Sequence, residues 1–473
     1  MQQANSEVLI LENGQTPPPQ TQVPVRKPQW YDTFSYIANP DKFCRHNLEK
    51  YGAIFQTGVF GGTTIFVGES KAIQMVFNGD SNYTEIALPP TTMDMFGEHS
   101  LFQRPDLHRQ RKNSLRPGLS GRFLEGYIPH INNEINKGLL KWNNHGKIAV
   151  YPEVEKICFD VLTPILWGVK LDDDNPESFK NLPIKNKQEV KALYKTYFDG
   201  FYGLLKWKSS FTAYGRGIKA RAELIEFMRA VIERRKEAEI NPTSDFLGMM
   251  LTSQQENPDG VFNNDLIENQ CLLQLWASHY EISGLVSSLI YQLGKYPQFV
   301  KKLRQEQSEL IKEKDLSSEL LKKMIFLEAT IKETLRTLPP SSTANRRLMK
   351  SVVLNGILYK KGCTVIAEPR LAHIRKEYFT DPDKFEPERF LAPRNEGKMY
   401  EFIPFGGGVH ACLGAQMAMV ITKIFASHLL NRFDWESIGE ADFVQFPLKK
   451  IKDNYQINLQ TDTPLLNKER GRG

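Results

Sequence analysis

The sequence predicts a mainly α-helical fold with a small accessory β region, and three observations carry that prediction. From Ile128 to Arg235 apolar residues recur at helical spacing, with charged clusters such as Glu233-Arg234-Arg235-Lys236 between them. From Asn264 to Tyr296 a second helical pattern runs unbroken to Pro297, long enough to cross a whole domain. Strand-like alternation is confined to short pieces near residues 53–67 and 352–368. With 473 residues, 41% hydrophobic and 25% charged, the chain can bury a large core or a cofactor.

Composition also excludes function classes. No run of about 18 or more apolar residues is present, so neither a membrane span nor a secretory segment is expected. The five cysteines, Cys44, Cys158, Cys271, Cys363 and Cys412, are odd in number and lack paired spacing. That argues against a disulfide framework and for a reducing, cytoplasmic compartment. A net charge of +6 is modest for this length and does not imply nucleic acid. It would suit docking to an acidic protein, although a mixed-charge solvated surface explains it more simply.

Taken in order, residues 1–29 carry Thr16-Pro17-Pro18-Pro19 and then Pro24 and Pro28, which reads as a flexible or extended, proline-rich tail before a single domain spanning 30–473. Pro40-Asp41 opens a short helix, and Ala53 to Gln56 with Thr63 to Val67 reads as a hairpin around Gly61-Gly62. A helix follows from Gly68-Glu69 through Phe77, then a long irregular loop containing Leu88 to Met93. His108 and Lys112 lie one turn apart on the next helix, and cations so placed would pair with carboxylates. Within the 264–296 helix, the polar residues Ser278, His279, Tyr280, Glu281 and Ser283 interrupt an apolar run, and buried polar groups need partners. Leu327 to Arg336 is helical and stops at Pro339-Pro340, with Glu333 and Arg336 on one face. Short strands are expected at Val352 to Leu358 and Thr364 to Glu368, and Lys468 to Gly473 should fray.

The stretch Phe402-Ile403-Pro404-Phe405-Gly406-Gly407-Gly408-Val409-His410-Ala411-Cys412-Leu413-Gly414 is a glycine-rich loop that delivers one cysteine just before a helix. Backbone N–H groups near a helix start stabilise a thiolate, the form that ligates metal. Glycines let the backbone approach a flat cofactor closely. Phe405, Gly408, Cys412 and Gly414 match the haem-binding signature of the cytochrome P450 family, which the chain resembles from about Trp30 to its end. Phe385-Glu386-Pro387-Glu388-Arg389-Phe390 matches a second signature of that family, and Glu333 with Arg336 a third.

The resemblance implies a P450-like fold enclosing haem b, with Cys412 as the iron ligand and Phe405 in the haem loop. It makes His108, Lys112, Arg346 (with Arg347 as a rival) and His410 candidate propionate contacts, and places Ala277 over the haem. Glu333, Arg336 and Arg389 would form a structural network behind the thiolate loop. Residues 88–93 and the helix carrying Phe198 and Tyr202 would roof a pocket that Trp276 and Thr343 also line. The helix with Ala277 departs from the pattern, since Ser278, Tyr280 and Glu281 stand where glycine, an acid and threonine are usual. Glu281, with Tyr280 or Ser283, would then manage protons, anchor a substrate, or serve structure alone.

The expected function is monooxygenation of an apolar small molecule such as a lipid or isoprenoid. A separate ferredoxin- or flavodoxin-type protein would supply the electrons. The alternatives are an isomerase, dehydratase or peroxygenase needing no reductant, and a haem-binding sensor without turnover.

Overall fold

The computed structural model describes residues 8–19, 21–24, 26–80, 82–98, 105–143, 146–203, 205–237, 245–310, 316–341, 344–445 and 448–460. Its chain groups into two compact units, each assembled from segments far apart in sequence. The first unit draws on residues 1–87, 326–412 and 443–450, and the second on the remainder.

The first unit is built on a five-stranded sheet ordered Ile54–Thr57, Thr64–Val67, Thr364–Ala367, Ala344–Leu348, Thr84–Ile86. The expected hairpin forms its first pair, with Ile54 opposite Val67. Thr64–Val67 then runs parallel to Thr364–Ala367, a pairing only a long crossover permits. Against the sheet pack Tyr36, Phe43, Cys44, Phe55, Phe66, Ile366 and Leu371, with Phe55 and Phe66 stacked 5.4 Å apart. The helix Pro40–Tyr51 starts where Asn39 accepts the Lys42 N–H and Pro40 fills the first turn.

A second, three-stranded sheet takes in part of the N-terminal segment as extended chain rather than as a flexible tail. Leu9–Leu11 pairs antiparallel with Ser351–Leu354, and Leu11 is buried. Gln22 bridges Ile357. The prolines keep this segment out of helices, but an extended chain is also what a sheet edge accepts. Ser351–Leu354 turns into Ile357–Tyr359 through Asn355 and Gly356, both at positive φ, the geometry an Asn-Gly hairpin favours.

The second unit is helical. Its longest helix, Asn264–Lys295, is capped by the Asn263 side chain accepting from Leu266 N–H and ends at Tyr296 before Pro297, as expected. Val150–Trp167, Ala213–Glu237 and Ala415–Arg432 pack on it, and Lys187–Gly200 packs on Ala213–Glu237. There Gly200 meets Gly217 so closely that a Cβ on Gly200 would lie 2.7 Å from the Gly217 Cα. The expected irregular loop after Leu88 is instead a helix, Pro90–Phe96, which Pro90 can open because its missing N–H falls where no helical bond is made. A sheet of Asp434–Ile438, Gln456–Gln460 and Lys147–Ala149 completes the unit.

Candidate functional site

In the first unit the loop from Phe402 to Cys412 is held by its own backbone. The Cys412 N–H donates to the Phe405 carbonyl at 2.8 Å, Gly406 N–H to Ile403 at 3.1 Å, and Ala411 N–H to Gly408 at 3.2 Å. Gly406 and Gly408 adopt positive φ, and a Cβ on Gly407 or Gly408 would come within 2.3 Å of the Phe77 ring or its carbonyl oxygen. Gly407 and Gly408 are therefore required by close packing on the helix Ser70–Asn78, and Gly406 by its positive φ. Of the five cysteines, Cys412 alone is exposed. Burial pushes the thiols of Cys44, Cys271 and Cys363 up, and that of Cys158 to about 12, which disfavours the thiolate that binds metal.

Behind the loop the Glu333 carboxylate, fully buried, accepts from Arg336 Nε and Nη2 at 2.7 and 2.8 Å, from Arg389 Nε at 3.0 Å and from the Glu386 N–H at 2.8 Å. Arg389 also donates to Glu396 at 2.7 Å and to the Thr380 carbonyl at 2.8 Å. Two guanidiniums around one carboxylate satisfy the burial rule for charge. Arg336 Nη1 reaches the carbonyl of His373, a residue whose part sequence reasoning missed.

Two of the sequence-predicted propionate contacts converge on one carboxylate that was not anticipated. Arg346 donates to Asp80 through Nε at 2.6 Å and Nη2 at 3.2 Å, and His410 Nε2 lies 3.9 Å from the same side chain. Thr84 Oγ1 donates to Asp80 as well. Arg347, on the same strand, is exposed. No local sequence signal could have found a pair separated by 266 residues.

In the second unit His108 and Lys112 are buried together with Arg111 on the helix Pro105–Leu115. On the long helix the polar stretch is largely accounted for by structure. Ser278 Oγ donates to the Gln274 carbonyl at 2.7 Å, and His279 Nε2 donates to the Glu155 carbonyl at 2.9 Å. Burial holds His279 down to about 4, so it is neutral. Ser283 is fully buried and donates to the His279 carbonyl at 2.6 Å. Its side chain also bonds to the buried Cys158 thiol, so the hydroxyl has partners on its own helix and on a neighbouring one.

Ala277 is exposed in mid-helix, and Glu281, one turn on, is half-buried. Burial pushes the Tyr202 hydroxyl well up, and the charge of Glu281 adds to it. Tyr280 stacks on Tyr194 and lies 4.1 Å from the Phe198 ring. Phe198, Tyr202, Trp276 and Tyr280 thus form one aromatic wall, extended by Phe201 and Phe96. Thr343 lies outside the described residues.

This donor set fits a haem. One exposed thiol rides on a loop whose glycines leave backbone bare, with open space beside Gly406. Buried cationic groups of the kind propionates require occur in each unit. No helix among the described residues is long and apolar enough to cross a membrane.

Comparison with known proteins gives a consistent picture. The family model described as Cytochrome P450 matches residues 17–458. Cytochrome P450 26A1 of Gallus gallus is 29% identical over 87% of this chain and 84% of its own length. Abscisic acid 8'-hydroxylase 2 of Arabidopsis thaliana is 28% identical over 88% of this chain and 84% of its own. Among solved structures, a retinoic acid-bound cyanobacterial CYP120A1 superposes with a TM-score of 0.82 at 26% identity, covering 93% of this chain and all of that one.

Proposed function

Because the chain belongs to the cytochrome P450 family, a group of haem b monooxygenases with a cysteine thiolate on iron, we propose that Cys412 supplies the thiolate and that the substrate is an apolar small molecule of lipid or isoprenoid type. The observation that carries the assignment of the ligand is the exposure of Cys412 against the burial of the other four cysteines. The aromatic wall of Phe198, Tyr202, Trp276 and Tyr280 supports the substrate class, since such faces bind apolar ligands and exclude water. Retinoic acid and abscisic acid, named for two of the relatives, are small isoprenoid acids of that kind.

When bound, the haem supplies the oxidative chemistry, and thiolate ligation favours cleavage of an O–O bond. The chain's own residues bind, orient and move protons. His108, Lys112, Arg346 and His410 would hold the propionates, with Asp80 orienting Arg346. Glu281 stands where the family pattern has threonine, and a half-buried carboxyl can hold and release a proton at its Oε atoms. Electrons would come from a separate ferredoxin- or flavodoxin-type protein. The absence of the acid–threonine pair also favours a second reading, turnover without a reductant.

The test has two parts. In haem-reconstituted protein, Cys412→Ser should abolish the red-shifted Soret band of the reduced carbon monoxide complex; an unchanged band refutes the ligand assignment. Turnover of isoprenoid and fatty substrates should then require a reductase system, and equal rates without one would establish the reductant-free reading.

A further inference from the structure

The imidazole of His373 lies between the buried ion cluster and the cysteine loop, and each of its ring nitrogens has a different partner. Nδ1 lies 3.3 Å from the Arg336 carbonyl, an acceptor, so Nδ1 carries the hydrogen. Nε2 lies 3.0 Å from the Ile403 backbone N–H, a donor, so Nε2 must be unprotonated. Arg336 closes the circuit by donating from Nη1 to the His373 carbonyl at 2.9 Å. The ring is fully buried, with Phe402 at 5.2 Å and Phe379 at 6.2 Å. Burial, reinforced by the Arg336 charge, keeps the imidazole neutral down to about 3.

Ile403 opens the loop that ends in Cys412. Its carbonyl accepts from Gly406 N–H, and two residues on, the Phe405 carbonyl accepts from the Cys412 N–H itself. The same loop is pressed at Gly407 and Gly408 against Phe77, so its start and its middle are both pinned. An Ile403 N–H without His373 would be a buried, unpaired donor, since Ile403 is only 4% exposed.

We propose that His373 is a positioning residue that transmits the register of the Glu333–Arg336–Arg389 cluster to the cysteine loop, and thereby fixes the sulfur of Cys412 in the orientation that keeps it bound to iron as thiolate. The part concerning sulfur rests on Cys412 being the ligand; the latch between His373 and Ile403 does not.

The experiment uses full-length, haem-loaded protein with His373→Phe, which keeps a flat ring but no nitrogens, and His373→Gln, whose amide can both donate and accept. Three readouts are taken: amide hydrogen exchange at Ile403, the Soret position of the reduced carbon monoxide complex, and haem retained per folded chain. His373→Phe should speed exchange at Ile403 by about tenfold to a hundredfold, the cost of a lost buried hydrogen bond. It should also move the carbonyl band from the thiolate to the blue-shifted thiol position, and His373→Gln should restore both in part. Retained protection at Ile403 in His373→Phe overturns the latch. Lost protection with an unmoved thiolate band overturns its coupling to sulfur. If neither variant folds, the ring 15N shifts of the parent protein decide, because a protonated Nε2 is incompatible with acceptance from Ile403. Cys412→Ser separates the two levels: if it keeps the thiolate band, the ligand assignment fails while protection at Ile403 still tests the latch.

Discussion

Acidification should weaken the long helix through His279, by an amount the structure sets. The ordinary pKa of histidine is about 6.5, and burial holds this one at about 4, with its Nε2–H donated to the Glu155 carbonyl. As pH falls below 6.5 the unfolded chain takes up a proton that the folded chain refuses, so stability declines until the folded ring also protonates. Between pH 7 and pH 5 that difference amounts to about 2 kcal/mol, and it approaches about 3 kcal/mol by pH 4. Other groups obscure the effect in the parent protein alone, among them His130, which burial also lowers. His373, held at about 3, acts in the same direction. Glu368, raised to about 7 by burial, acts oppositely, its folded form losing stability as pH climbs from 4.5 to 7. A comparison with His279→Gln cancels them all. Glutamine cannot titrate, so its deficit relative to the parent should shrink by about 2 kcal/mol on going from pH 7 to pH 5. Hydrogen exchange along Asn264–Lys295, converted to opening free energies at each pH, provides the measurement. A deficit that stays constant with pH would mean that the ring titrates normally in the folded protein, and would refute the reasoning.

Four further outcomes follow from named contacts. Glu333→Gln leaves Arg336 and Arg389 buried around a neutral amide, and should cost about 3–5 kcal/mol with marked loss of haem on purification; parent-like denaturant stability would contradict it. Asp80→Ala strips Arg346 of its only carboxylate partner among the ion pairs described, and haem transfer to an apoprotein acceptor should accelerate at least about tenfold, whereas an unchanged rate would separate this pair from haem binding. Gly408→Ala places a methyl group 2.3 Å from the Phe77 carbonyl at a positive φ, so haem incorporation should fall sharply, and a crystal structure with an undisturbed loop would show the packing argument to be wrong. Glu281→Gln should lower kcat by about a hundredfold while haem content stays at the parent level; full turnover would remove Glu281 from proton handling.

Local chemistry made much of the fold legible. Pro40 with Asp41 announces a helix start, Pro297 announces a stop, and the glycines at 406–408 announce a backbone that something must approach closely. The family resemblance brought Cys412, Glu333, Arg336 and Arg389 forward from sequence alone. What stayed hidden depends on partners distant along the chain. Leu9–Leu11 reads as tail until Ser351–Leu354 is set beside it. Pro90 reads as a breaker although it opens a helix. Gln456-Ile457-Asn458-Leu459-Gln460 carries strand alternation that went unread amid a helical chain, and its partners Asp434–Ile438 and Lys147–Ala149 come from opposite parts of the sequence. That Ser283 bonds to its own helix is likewise invisible without coordinates. Asp80 was missed for the same reason as His373: each acquires its meaning only from a group brought to it by folding.

The pairing of Leu9–Leu11 with Ser351–Leu354 has a practical side. A shortened protein that begins at Trp30 would lose this outermost ribbon and leave the peptide groups of 351–354 open to water and to neighbouring molecules. Bare rims of that sort recruit strands from other chains. Trimming the proline-rich leader to aid crystallisation would therefore be expected to promote clumping, and an affinity tag is better attached ahead of Leu9 than substituted for it.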